Sequence, residues 1–285
     1  MEEKLHWVEC PRDAMQGMKN FIPTEQKIAY LNSLLNVGFD TLDIGSFVSA
    51  KAIPQMQDSL EVIRQVKWTG TKPEFLVIVA NERGAEVAVN EERVDVIGFP
   101  LSVSETFQLR NTGGSIQEGF QRLEKIQTLA AQHQKKLVIY LSMGFGNPYE
   151  EPYSPELLVD FSHNIAQHFN PQCIALSDTI GVGDPIIISN AFTALNAQFT
   201  SLQFSAHLHT TPQTAQEKIL AAWEAGCRRF DSAIGGWGGC PMAKDDLTGN
   251  MPSEAIYATL NQHIAALFSL DAFQQSQLLA QQIFV

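Results

Sequence analysis

Eight short apolar runs alternate with helix-like segments along this chain, and that alternation constrains its fold more than any other feature. The runs are LHWVEC (5–10), FDTLDIGSF (39–47), EFLVIVA (74–80), VDVIGFPLSV (94–103), KLVIYLSM (136–143), CIALSD (173–178), QFSAHLH (203–209) and RFDSAIGG (229–236). Several are apolar at both odd and even positions, the pattern of strands buried on both faces. The segments between them read as helices. TEQKIAYLNSLLNVG (24–38) has Thr24 as its N-cap and Gly38 as its stop signal. IQEGFQRLEKIQTLAAQHQ (116–134) carries apolar positions at helical spacing, and SPELLVDFSHNIAQHF (154–169) opens with a Ser-Pro pair suited to N-cap and N1. DPIIISNAFTALNAQF (184–199), TAQEKILAAWEAG (214–226) and SEAIYATLNQHIAALFSL (253–270) complete the series.

Eight βα repeats in 285 residues predict a single α/β domain, a (β/α)8 TIM barrel over about residues 5–268. A doubly wound open sheet is the alternative, but no GxGxxG follows the first strand. The last segment, LDAFQQSQLLAQQIFV, predicts a short extra C-terminal helix over about 269–285.

Composition narrows the partners. A net charge of −12 argues against nucleic acid and anionic membranes. An anionic substrate would need a local cation or a metal. The four cysteines, Cys10, Cys173, Cys227 and Cys240, fit neither a zinc ribbon nor a disulfide scaffold, which points to free thiols in a reducing compartment. The acidic start, MEEKLHWVEC, has no apolar signal core. No stretch reaches the roughly 18 apolar residues of a membrane span. A cytoplasmic location is the expectation.

In such barrels the chemistry lies at the carboxyl ends of the strands. Arg12 and Asp13 follow the first strand, with Gln16 beyond; the second carries Asp43 and Ser46. Ser177-Asp178 ends the sixth, His207-Leu208-His209 ends the seventh, and GGWGGCPMAKDDLTGN follows the eighth with Cys240 and Asn250. Histidines at i and i+2 of a strand face the same side. With Asp13 as an anionic ligand and Asn250 as a neutral one, His207 and His209 would make a mixed N/O site for a divalent ion. Mg²⁺ or Mn²⁺ suits it, and Zn²⁺ is the alternative.

Each of these residues also has a plainer use. The histidines could be core or surface residues, Arg12 a partner for Asp13, Asp178 a helix cap and Asp43 a paired interior acid. Cys240 could be a small buried apolar group, or an acid/base group in a glycine-rich loop over the site. Cys10, Cys173 and Cys227 read as structural, and His6, His133, His163, His168 and His263 as helix-surface or core residues.

The segments ECPRDAMQGMKN, LDIGSFVSAKAIPQMQD, ALSDTIGVGDP, HLH, GGWGGCPMA and LTGNMPSE, taken in order over about residues 5–260, resemble the 3-hydroxy-3-methylglutaryl-CoA lyase family. The resemblance implies a (β/α)8 barrel that cleaves 3-hydroxy-3-methylglutaryl-CoA to acetyl-CoA and acetoacetate. It implies Asp13, His207, His209 and Asn250 as metal ligands, Arg12 as the essential cation and Cys240 as the catalytic thiol. His207 or Cys240 would supply the proton that quenches the enolate. Asp178 matches an aspartate of the family, and Gln16, Lys19 and Ser46 match site-lining positions, Lys19 being suited to the phosphates of coenzyme A. Such barrels are often homodimers.

The chain also departs from the pattern. Cys10 and Ala14 stand where glycine is usual, and Asp43 where glutamate is. Thr210-Thr211-Pro212-Gln213 follows His209 in place of aspartate-threonine, so an acid that would orient a ligand is expected to be missing. The short tail implies an absent or altered segment for contacting coenzyme A. These departures leave room for a sister aldolase acting on another 3-hydroxyacyl thioester or a free 3-hydroxy acid. A catalytically weak barrel kept for binding is a third reading.

Overall fold

The computed structural model describes residues 4–239, 248–265 and 267–284. Eight parallel strands close into one barrel: β1 (His6–Glu9), β2 (Thr41–Ser46), β3 (Glu74–Ile78), β4 (Val96–Ser102), β5 (Lys136–Ser142), β6 (Cys173–Ser177), β7 (Gln203–His207) and β8 (Arg229–Ser232). They pair in sequence order, and β8 closes on β1 with Arg229 opposite His6 and Asp231 opposite Val8. The expected TIM barrel is therefore present, with each strand inside its expected run.

Two cores follow from the burial of both strand faces. Leu76, Val96, Val138, Tyr140, Cys173 and Ala175 fill the barrel interior. A larger apolar layer lies between the strands and the surrounding helices. Those helices are α1 (Pro11–Gln16), α2 (Thr24–Leu34), α3 (Ser59–Gln65), α4 (Glu82–Val89), α5 (Glu105–Thr112), α6 (Ile116–Gln132), α7 (Pro155–His168), α8 (Pro185–Gln198), α9 (Ala215–Glu224), α10 (Ser253–Leu260) and α11 (Leu270–Phe284). Ser154 caps α7 by accepting from the Leu157 N–H, with proline in the first turn, as its sequence predicts.

Three expectations need correcting. Thr24 is inside α2, not its N-cap; Pro23 takes that position, and the Thr24 hydroxyl donates to Asp58 at 2.8 Å. Gly38 lies beyond the helix end at Leu34 and turns the chain at φ +100°, where a Cβ would meet the Leu267 carbonyl oxygen at 2.7 Å. The run 253–270 is not one helix. It breaks after Leu260 into a short 3-10 turn, Asn261–His263. Tertiary contacts override its periodicity there: the Leu5 N–H donates to the His263 carbonyl, and Trp223 packs on the His263 ring.

The tail forms the expected helix, α11. It packs against α2 and places Phe284 against Trp237, with ring centroids 5.7 Å apart. Among the described residues no helix is long and apolar enough to cross a membrane.

Candidate active site and metal centre

Arg12 and Asp13 lie in the first turn of α1, just past β1, where the chain turns over the mouth of the barrel. Both are buried. Arg12 donates from Nε and Nη2 to Asp43 Oδ2, at 2.9 and 2.5 Å, and from Nη1 to Asp13 Oδ1 at 2.7 Å. Asp43 reaches Arg12 from β2, next to a shift of register between Asp43 and Gly45 of the kind that re-aims side chains.

A guanidinium has five N–H groups. These contacts engage the Nε hydrogen and one on each terminal nitrogen, so one hydrogen on each terminal nitrogen remains for an incoming oxygen. Burial works against the charge on Arg12, but Asp43 and Asp13 outweigh it and raise its pKa further. Burial would raise Asp13, yet Arg12 and then the two histidines bring it down to about 2. Burial dominates at Asp43 and pushes it up to about 6, so it is still mostly ionised at neutral pH.

His207 ends β7, and His209 begins a two-residue strand with Thr210. That strand pairs antiparallel with Gly249–Asn250, setting Asn250 opposite His209. Here is the reason a residue 41 positions further on joins the histidines. Asn250 Nδ2 donates to Asp13 Oδ2 at 2.7 Å and to the Trp237 carbonyl at 2.8 Å. Gly238, at φ +87°, closes over both, since a Cβ there would come within 2.6 Å of the Asp13 carbonyl oxygen and 2.7 Å of Asn250 Nδ2.

His209 presents a bare nitrogen to this group. His209 Nδ1 lies 3.0 Å from the Thr179 carbonyl oxygen, which only accepts, so the proton is on Nδ1. His209 Nε2 is buried and has no hydrogen-bond partner among the described residues. A buried lone pair of that kind needs an explanation, and an ion is the simplest. Asp13, His207 and His209 each offer a ligand atom, and these atoms lie within 4.8 Å of one another. The residues fit a divalent cation held by two imidazoles and a carboxylate.

His207 Nδ1 faces Asp231 Oδ2 at 3.1 Å. Burial opposes the imidazolium, but the hydrogen bond to Asp231 and its charge outweigh this and raise the pKa of His207. The acid expected to be missing near the histidines therefore exists, on β8 rather than after His209. Thr210 turns away, its hydroxyl 2.8 Å from the Thr214 hydroxyl.

Other expected residues lie at varying distance from the cluster. Gln16 is part of it, donating to Asp13 Oδ1 at 2.6 Å. Ser46 is buried at the end of β2 with its hydroxyl donating to the Ile78 carbonyl. Lys19 is exposed beyond α1. Asp178 is engaged elsewhere: Oδ1 accepts from the Gly183 N–H and Oδ2 from Lys218 Nζ at 3.0 Å. Cys240 lies outside the described residues.

Sequence reasoning missed three buried residues that support the site. Lys218 ties Asp178, the Gly181 carbonyl and the His209 carbonyl together. Glu9 accepts from the Ile234 N–H and the Ser253 hydroxyl, beneath the start of the glycine loop. Asp231 was legible in principle, because alternation along RFDS puts Arg229 and Asp231 on one inward face. Cys10 shares the interior with them; burial, and then Asp231, Asp43 and Asp13, push its thiol well up, which fits an inert structural cysteine.

Comparisons with known proteins identify the relatives of the chain. The chain is 33% identical over 256 residues to the mitochondrial hydroxymethylglutaryl-CoA lyase of Mus musculus, covering 88% of this chain and 76% of the relative. It is 32% identical over 264 residues to the 3-hydroxy-3-isohexenylglutaryl-CoA/hydroxy-methylglutaryl-CoA lyase of Pseudomonas aeruginosa, covering 92% and 86%. The crystal structure of the HMG-CoA lyase from Brucella melitensis superposes with a TM-score of 0.90 at 30% identity, covering 98% of each chain. A family profile described as HMGL-like matches residues 4–279, and the chain belongs to the HMGL-like family.

Proposed function

We propose that this protein cleaves 3-hydroxy-3-methylglutaryl-CoA to acetyl-CoA and acetoacetate, with a divalent cation held by Asp13, His207, His209 and the amide oxygen of Asn250. One observation carries the reading: a charged Arg12, with two N–H groups unengaged among the described residues, stands beside Asp13, which lies within 4.8 Å of ligand atoms on two imidazoles, the Nε2 of His209 being buried and bare. The cation, Mg²⁺ or Mn²⁺ for this donor set, would make the tertiary hydroxyl of the substrate more acidic.

The chain's own groups do the rest. As the bond between C2 and C3 breaks, its electron pair moves onto the thioester, which leaves as an enolate. The tertiary hydroxyl gives up its proton to a base, water being sufficient once the hydroxyl is acidified, and the ketone of acetoacetate forms at C3. Arg12 donates its free N–H groups to the enolate oxygen, and Asp43 and Asp13 hold the guanidinium in place before substrate arrives. Such preorganised donors are worth most where water is excluded. The enolate carbon then takes a proton, for which Cys240 is the candidate on sequence grounds. Lys19, exposed beyond α1, is the candidate for the phosphates of coenzyme A on sequence grounds, and Gln16 keeps Asp13 oriented.

A second reading is favoured by Asp43, one methylene shorter than the glutamate of the pattern. A shorter acid would hold Arg12 nearer β2, with space beside it for a larger acyl branch. The name of the Pseudomonas aeruginosa relative covers a branched, longer substrate as well as the hydroxymethyl one.

The test is acetyl-CoA release from 3-hydroxy-3-methylglutaryl-CoA with Mg²⁺ or Mn²⁺, and again after EDTA. Turnover that needs the ion supports the proposal. A folded protein that binds Mn²⁺ but gives no acetyl-CoA sinks the named substrate. Release from a longer-branched thioester alone would establish the second reading.

A further inference from the structure

His207 has two ring nitrogens, and only one can face Asp13. The neutral ring carries one proton, and whichever nitrogen holds it is lost as a ligand. What decides the matter lies on the inner side of the ring. Asp231 Oδ2 sits 3.1 Å from Nδ1, and its other oxygen accepts from the Ser205 hydroxyl at 3.1 Å. Asp231 is fully enclosed on the inward face of β8. Its register is set on both sides, by His207 of β7 opposite Asp231 and by Val8 of β1. Tyr140 meets the His207 ring edge-on at 85°, which limits its rotation.

We propose that Asp231 is a positioning residue: it holds the proton of His207 on Nδ1 and so keeps Nε2 bare and turned toward Asp13 and His209. The two histidines then share one tautomer but are held differently. His209 donates to a neutral carbonyl, that of Thr179, whereas His207 donates to a carboxylate. A carboxylate partner makes the ring the better donor to an ion, so His207 is the stronger of the two. Cys10 is the rival partner, because its thiol shares a cluster with His207 and Asp231. A buried thiol is a weak acceptor and cannot hold the tautomer as a carboxylate does.

The inference rests on the reading of His207 as a ligand, and its test separates the two. In metal-free protein labelled with ¹⁵N-histidine, at a pH high enough to leave His207 neutral, long-range ¹H–¹⁵N correlation shows which nitrogen carries the proton; the His207 signal is assigned by its loss in His207→Gln. The proton is expected on Nδ1. Asp231→Asn is expected to shift or mix the tautomer and to weaken Mn²⁺ binding, measured by calorimetry, by about 10–100-fold. Cys10→Ala should change neither. A wild-type spectrum with the proton on Nε2 overturns the proposal, and it does so even if Asp231→Asn fails to fold. Unchanged tautomer and Mn²⁺ affinity in Asp231→Asn would also overturn it, as would a tautomer that follows Cys10 instead. Wild-type protein that binds no Mn²⁺ removes the metal reading alone, since the tautomer is measured without it.

Discussion

The two ends of the barrel each set a histidine near an arginine, and they use the pair in opposite ways. At the amino-terminal end, Arg229 Nη1 points at His6 Nε2 from 2.5 Å, with the Thr41 hydroxyl 2.9 Å from the same nitrogen. The lone pair of His6 is therefore covered. Burial first, and then Arg229, lower its pKa to about 4. At the carboxyl-terminal end, Arg12 spends its charge on two aspartates, while His207 leans on Asp231 and His209 on a carbonyl. The His209 lone pair stays open among the described residues. What separates a structural histidine from a ligand is what stands behind the ring, because that fixes which nitrogen is left over.

The largest break in this contrast comes from Arg12→Met. It leaves Asp13 and Asp43 without their shared cation, so kcat should fall by about 10²–10³-fold. Stability should fall by about 3–5 kcal/mol. Steady-state kinetics and urea unfolding read the two effects. Removing an open lone pair comes next. His209→Ala is expected to weaken Mn²⁺ binding by about 100-fold or more, beyond the loss from an outer partner, while His6→Gln leaves calorimetric Mn²⁺ binding unchanged. A matching loss in His6→Gln would erase the distinction between the two ends.

Glu9 sharpens the comparison, because it is buried close to the upper cluster yet pairs with no cation among the described residues. Burial pushes it up to about 8 from an ordinary value of 4.5. A raised pKa favours the folded state below the unfolded value, and the advantage is lost as pH rises from about 4.5 through about 8. Glu9→Gln should therefore remove about 2–3 kcal/mol of the fall in stability between pH 5 and pH 9. Paired denaturant titrations would show it as a flatter profile.

His6 runs the other way. Its lowered pKa favours the fold above pH 6.5, and that contribution is lost as pH falls toward about 4. His6→Gln should flatten this acid limb by about 1–2 kcal/mol, seen in thermal melts across that range. The smallest effect is expected from Lys19→Ala, which touches no buried group: KM for the thioester rises a few-fold, by about 1 kcal/mol or less as for other exposed charges, with kcat unchanged.

The barrel was legible because its strands are apolar on both faces, a pattern few other structures need. The helices α3, α4 and α5, of seven or eight residues each, went unread. They are too short for periodicity to show, and what defines the last two is a cap: Asn81 accepting from the Gly84 N–H and Ser104 from the Phe107 N–H. In the site, Arg12, Asp13, His207, His209 and Asn250 could be named from position and resemblance, since each lies at a strand end or in a quoted motif. Asp231 could not be assigned its partner. It lies 24 residues from His207, and only the closure of β7 on β8 makes them neighbours. The acid that seemed missing after His209 was sought by sequence adjacency, whereas the barrel supplies it across the sheet.

The bare Nε2 of His209 has a consequence for how the protein is handled. Two fixed imidazoles and a carboxylate bind Ni²⁺ and Cu²⁺ more tightly than Mn²⁺ by the general order of first-row affinities. The identity of a bound ion would then depend on supply as well as on the donor set. Protein eluted from a nickel resin would carry the resin's metal into every later measurement, and a preparation of low activity would be a mismetallated one before it was a damaged one.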